Sequence, residues 1–170
     1  MKRKIIIFLI GCVVLSLLLF CVYIIHRNVE QKSFIENNRK KMPPFSFLSY
    51  DKKNVTKNDL MSGQPTMIIY FHPECEHCIN ELQSINNEID SIHANIICIS
   101  VATNEIIDNC NEVQKLKNNR NVFLLNDKDN RCFEYFGIKT FSSTIIYDKN
   151  NSLIKTFSGE VSFSTIKQLL

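Results

Sequence analysis

Phe71-His72-Pro73-Glu74-Cys75-Glu76-His77-Cys78 decides how this chain is read, because it joins two segments of different period. Before it, Met67-Ile68-Ile69-Tyr70-Phe71 is a short continuous apolar run, the pattern of a central strand buried on both faces. After it, Ile79, Leu82, Ile85, Ile89 and Ile92 recur in steps of three and four, which puts them on one face of a helix. Cysteines at i and i+3 on the first turn of such a helix lie on one side, within reach of a disulfide. Cys75 falls at or just before the helix N-terminus, where orphan N–H groups and the helix dipole stabilise a thiolate. It is therefore expected to be the attacking, more exposed sulfur, with Cys78 resolving from one turn inside. A pair so placed between a strand and a helix points to thiol–disulfide exchange.

Other uses of the pair fit less well. A structural zinc site needs a second ligand pair, and the chain has none at that spacing. A local metal site from Cys75, Cys78, His72 and His77 stays open as an alternative. Haem attachment needs His directly after Cys78, where Ile79 stands. As a staple the pair closes too small a loop to remove much chain entropy. The two residues between the cysteines give conflicting signals for redox poise. A protonated His77 stabilises a thiolate and makes the pair more oxidising. Glu76, with Glu74, pushes the thiol pKa up. Cys98, Cys110 and Cys132 read as packing residues, with a Cys110–Cys132 disulfide as a further option in an oxidising compartment.

Working outward, strand-like and helix-like runs alternate over residues 43–170, a normal size for one core. Phe45 to Tyr50 alternates apolar and polar, as a half-exposed strand does. Ile96 to Val101 and Val122 to Leu125 read as strands. Ile106, Ile107, Cys110, Val113 and Leu116 form a second helical stripe, and a short helix is expected over Asp129 to Phe136. Thr144 to Tyr147 and Leu153 to Phe157 read as a hairpin through the turn-rich Asp148-Lys149-Asn150-Asn151. A last helix starts near Ser162 or Ser164. This order predicts an α/β domain with a mixed sheet.

The N-terminal segment has a separate character. Lys2, Arg3 and Lys4 form a short basic tail (1–4), followed by an uncharged apolar run from Ile5 to Ile25. As a helix that run spans roughly 30 Å, the thickness of a bilayer core, and the preceding charges favour a cytoplasmic N-terminus. A single-pass anchor over 5–25 is expected, placing the rest outside the cytoplasm. A cleaved signal peptide, or a lipoprotein box at Leu9-Ile10-Gly11-Cys12, are the competing readings, and both also export the domain. Residues 26–42 read as a polar tether. The net charge of +3 is spread among acids and asparagines without a basic, aromatic-interleaved stripe, so no nucleic-acid partner is expected.

The ordered motifs of 43–170 resemble the TlpA/ResA-like membrane-anchored thiol–disulfide oxidoreductases of the thioredoxin superfamily. The likeness runs from Pro44-Phe45-Ser46-Phe47, through Gly63 to Phe71 and the cysteine pair with Glu81 three residues on. It continues in Phe136-Gly137-Ile138-Lys139 and Thr144-Ile145-Ile146-Tyr147-Asp148. The resemblance implies a thioredoxin-like α/β fold, a mixed central sheet flanked by helices, with one N-terminal transmembrane helix. It implies protein thiol and disulfide substrates, reduction rather than oxidation of them, and a membrane electron donor. It implies no cofactor or resident metal, and a site on the periplasmic, extracytoplasmic side of the inner (cytoplasmic) membrane. Cys75, Cys78 and Glu81 would be catalytic, Glu81 tuning the sulfurs or shuttling a proton. Phe141 and Ser142 would form the substrate-facing loop. Ser142 stands where such proteins carry a cis-proline, and a non-proline cis bond costs roughly 3 kcal/mol, so a trans peptide is expected. Phe71-His72-Pro73-Glu74 replaces the usual Trp-x-x-Trp, with Phe71 as apolar wall. The serine keeps a second reading open, a tethered thioredoxin-fold module that binds a metal or a partner protein without turnover.

Overall fold

The computed structural model describes residues 11, 14–27 and 39–170. The chain divides into two compact units, Met1–Asn37 and Asn38–Leu170. In the first, residues 14–27 are helical, with Leu15, Leu18, Leu19 and Ile25 exposed. Among the described residues no helix is long and apolar enough to cross a membrane. Much of the expected anchor over Ile5 to Ile25, Cys12 included, and most of the tether lie outside the described residues.

The second unit is built on seven strands: β1 Ser46–Ser49, β2 Asn54–Thr56, β3 Thr66–Tyr70, β4 Asn95–Ser100, β5 Val122–Asn126, β6 Ser143–Tyr147 and β7 Leu153–Ser158. Their order in the sheet is β2-β1-β5-β4-β3-β6-β7. The central β3 pairs parallel to β4 and antiparallel to β6, and β4 runs parallel to β5. The sheet is mixed, as the pattern of runs predicts. All five residues of β3 are buried, because helices and loops cover both faces of a central strand. In β1, near the edge, Phe47 is buried while Leu48 is 57% exposed, the alternation of a half-covered strand.

Four helices cover one face. α1 Glu76–Asn86 packs on α3 Asn111–Lys117 and α5 Phe163–Lys167, and the shared core includes Phe71, Leu82, Ile85, Cys98 and Val113. α2 Asn104–Asp108 precedes α3 on that side. On the other face α4 Cys132–Phe136 closes an aromatic core, with Phe136 5.7 Å from Phe45 between ring centroids.

The helical stripes are shorter than their periodicity suggests. α1 stops at Asn86, and Ile89 lies in a separate one-turn 3₁₀ helix, Ile89–Ser91. Asn86-Asn87 ends the helix because asparagine side chains compete for backbone partners; Asn86 Nδ2 instead donates to the Glu112 carbonyl at 2.9 Å. The stripe through Cys110 is two helices, α2 and α3, with Cys110 as the N-cap of the second. Gln114 Nε2 donates to the Ile107 carbonyl at 3.0 Å and fills the break. The helix expected over Asp129 to Phe136 begins only at Cys132. No Cys110–Cys132 disulfide forms, because the two free thiols belong to cores on opposite faces of the sheet. The β2 edge strand carries too few apolar residues for its sequence to announce it.

Asp127, buried after β5, anchors α4. Its carboxylate accepts the Arg131 N–H at 2.6 Å and the Cys132 N–H at 3.1 Å, and burial is the main force raising its pKa. Asp127→Ala leaves both amides unpaired and is expected to cost about 1–3 kcal/mol in urea unfolding. Asp127→Asn, which keeps an acceptor, should lose less.

Candidate active site

The end of β3 delivers the site. The Phe71 N–H donates to the Ile99 carbonyl at 3.0 Å, the last rung of β3 against β4, and the chain then turns through His72–Glu74 into α1. The Cys75 N–H donates to the His72 carbonyl at 3.0 Å, and Cys75 is the N-cap of α1 in extended conformation. Its side chain makes no capping bond, so the sulfur is left at the helix N-terminus beside the unpaired amides. Cys75 is partly exposed and Cys78 fully buried, one turn inside, with both thiols free. Burial pushes the Cys78 thiol up to about 12, and the neighbouring Cys75 sulfur raises it further. The main-chain amides of His72 and Ser142 face the Cys78 sulfur and act in the opposite direction.

Behind the pair lies Glu81, on the inward side of α1 and 1% exposed. Its Oε1 accepts from Thr144 Oγ1 at 2.5 Å and its Oε2 from Ser142 Oγ at 3.4 Å. Burial raises its pKa to about 7, the two hydroxyls oppose the rise, and Glu160 adds to it by charge. Cys98, fully buried on β4, is raised to about 12 by burial and then by Glu81. The register explains this grouping: Thr144, Ile69 and Cys98 are cross-strand partners on β6, β3 and β4, and so share the face that α1 covers.

Ser142 precedes β6, is 3% exposed, and has φ +56°. No cis peptide bond occurs among the described residues, in agreement with the trans bond expected there. A non-glycine residue in the left-handed region carries about 1–2 kcal/mol of strain. Here the Gly159 N–H donates to the Ser142 carbonyl at 2.6 Å and holds it. Gly159, at φ +90°, makes the turn that carries Glu160 over the site.

His77 Nδ1 lies 2.8 Å from Glu160 Oε2 on the surface, and this bond lowers the Glu160 pKa. Glu76 is exposed on the first turn of α1. Phe141 is 39% exposed and its ring lies 5.1 Å from Tyr70 and 5.3 Å from His72. It, and not the fully buried Phe71, supplies the aromatic surface at the site. His72 Nδ1 accepts the Glu74 N–H at 3.3 Å. Among the described residues no three His, Cys, Asp or Glu side chains converge as a metal site, since His77 turns to Glu160 and His72 to Phe141. Thr144, Cys98 and Glu160 are site residues the sequence reading passes over. A lone threonine at the head of an apolar strand is a weak cue for the first. The other two depend on register and on a distant turn.

A buried parallel pair of strands, an antiparallel hairpin and a cysteine pair capping the first helix define a thioredoxin-like protein. Solved structures agree on the fold. A secreted Mycobacterium tuberculosis disulfide oxidoreductase is 15% identical with TM-score 0.60, over 78% of this chain and 95% of that one. A thiol-disulfide oxidoreductase from Bacteroides fragilis is 16% identical with TM-score 0.61, over 77% and 100%. StoA from Bacillus subtilis is 13% identical with TM-score 0.59, over 76% and 97%. No curated protein sequence matches significantly. The AhpC/TSA family matches over residues 39–156, and the chain belongs to that family of peroxiredoxin- and thioredoxin-type redox enzymes.

Proposed function

We propose that this chain is a membrane-anchored, extracytoplasmic thiol–disulfide oxidoreductase of the TlpA/ResA-like kind that reduces disulfides in proteins. The observation that carries the reading is the division of labour between the sulfurs: Cys75 accessible at a helix N-terminus, Cys78 buried one turn inside with a carboxyl on its own helix face. The Cys75 thiolate attacks a substrate disulfide; that S–S bond breaks, a Cys75–substrate disulfide forms, and the first substrate sulfur leaves and takes up a proton. Cys78 then gives its proton to the Glu81 carboxylate and attacks the Cys75 sulfur. The Cys75–Cys78 disulfide forms and the second substrate sulfur leaves as a thiolate, so the substrate gains the two electrons the pair loses. A membrane electron donor must restore the dithiol, because a single transmembrane helix carries no electrons. Phe141 offers an apolar contact for the substrate segment.

The apolar run Ile5–Ile25 behind Lys2, Arg3 and Lys4 supports the anchor and the external site at the inner membrane. The test is a redox titration of the full chain in mild detergent, with alkylation and mass spectrometry at Cys75 and Cys78. A reversible two-electron step near about −270 mV is the expected result, whereas one near about −120 mV makes the protein an oxidant. The absence of any reversible step at this pair sinks the exchange reading.

A further inference from the structure

Ser142 presents two polar groups to two different partners in the site. Its main-chain N–H faces the Cys78 sulfur, and its Oγ lies 3.4 Å from Glu81 Oε2. Its carbonyl is held by Gly159, and its φ is +56°. Among the described residues the other non-glycine positions with positive φ, Lys52, Asn130 and Asn151, lie in turns, whereas Ser142 is buried. A proline at this position could supply neither contact, since it lacks the N–H and its φ is fixed near −65°.

We infer that Ser142 is a positioning residue for the resolving step, holding the Cys78 sulfur through its amide and the Glu81 carboxyl through its hydroxyl in one fixed arrangement. This rests on the dithiol exchange proposed above. While Cys78 loses its proton and attacks Cys75, the amide stabilises the thiolate that forms. The hydroxyl keeps the carboxylate turned toward the sulfur that it deprotonates. Glu81 also faces Thr144 on β6, Cys98 on β4, and Glu160, which is itself held by His77, while Cys78 lies three residues before it on α1. These set the background against which a Ser142 substitution is read.

The experiment follows the Cys75–glutathione mixed disulfide formed when the reduced full chain meets oxidised glutathione, quenched and weighed as a function of pH. Ser142→Pro removes the amide donor and is expected to slow decay of the adduct about 10- to 100-fold relative to its formation. Ser142→Gly keeps the amide and tolerates the positive φ, but removes the hydroxyl. Loss of a donor to the carboxylate should move the pH midpoint of decay up by about half a unit. Wild-type decay in Ser142→Pro, or a wild-type midpoint in Ser142→Gly, overturns the inference. If the proline variant does not fold, the glycine midpoint decides alone. If wild type forms no adduct at all, the exchange reading fails and this inference with it, an outcome distinct from a wild type that turns over beside indifferent variants.

Discussion

Cys78→Ser is expected to accumulate a stable mixed disulfide on Cys75, while Cys75→Ser captures nothing and loses exchange activity down to the uncatalysed background. The asymmetry follows from where the sulfurs sit. Cys75 is reachable and lies at the N-terminus of α1, so it is the sulfur that meets the substrate. Cys78 is fully buried and its thiol is pushed up to about 12, so it is a poor first nucleophile at neutral pH. Once Cys75 is in a mixed disulfide, however, its sulfur is held one helical turn from Cys78, and the attack becomes intramolecular. Removing Cys78 therefore blocks release but not capture. Non-reducing electrophoresis and mass spectrometry of each variant with a disulfide-bonded protein substrate read the difference directly. Trapping by Cys75→Ser would reverse the assigned roles, and trapping by neither variant would favour a binding module without turnover.

How much of this was legible beforehand depends on the range of the interactions. The strand–CxxC–helix junction is local, and Cys75, Cys78 and the face of α1 carrying Leu82 and Ile85 follow from spacing alone. Glu81 is different. Its i+3 position puts it on the side of Cys78, but only the register of β6 against β3 brings Thr144 over it and removes it from water. The hydropathy of α1 cannot distinguish a buried glutamate from a solvated one. His77 shows the converse. Its place inside the motif suggests action on the sulfurs, yet a turn at Gly159 presents Glu160 and draws the imidazole to it. Helix ends are overrun for a related reason: apolar steps of three and four continue across Asn87 and Asn109, the C-caps at which α1 and α2 stop. A 3₁₀ turn keeps nearly the same apolar spacing, so periodicity alone does not see the break.

The buried Glu81 should make stability fall as pH rises. Its pKa is raised from 4.5 to about 7, chiefly by burial. Between those values the folded chain binds a proton at Glu81 that the unfolded chain has released, so each step up in pH favours unfolding. The contribution is fully present below about pH 4.5 and lost as pH passes about 7, a change on the order of 3 kcal/mol. Asp127 is raised by burial in the same sense and leaves a smaller residual slope. Glu88 and Glu160, lowered by Lys167 and His77, act oppositely and only in more acid solution. Glu81→Gln keeps an acceptor for Thr144 without the ionisation, so its urea-unfolding free energy should match wild type near pH 5 and exceed it at pH 8. In the proposed exchange the same carboxylate is the base for Cys78. Resolution of the mixed disulfide should therefore rise with pH through a midpoint near 7 in wild type and be slower and flatter in Glu81→Gln. Greater stability and slower resolution in a single variant are the signature of a strained functional carboxylate. Parallel stability–pH profiles for the two proteins would mean that Glu81 is ionised in the folded state across this range, and its place as proton acceptor would then be lost.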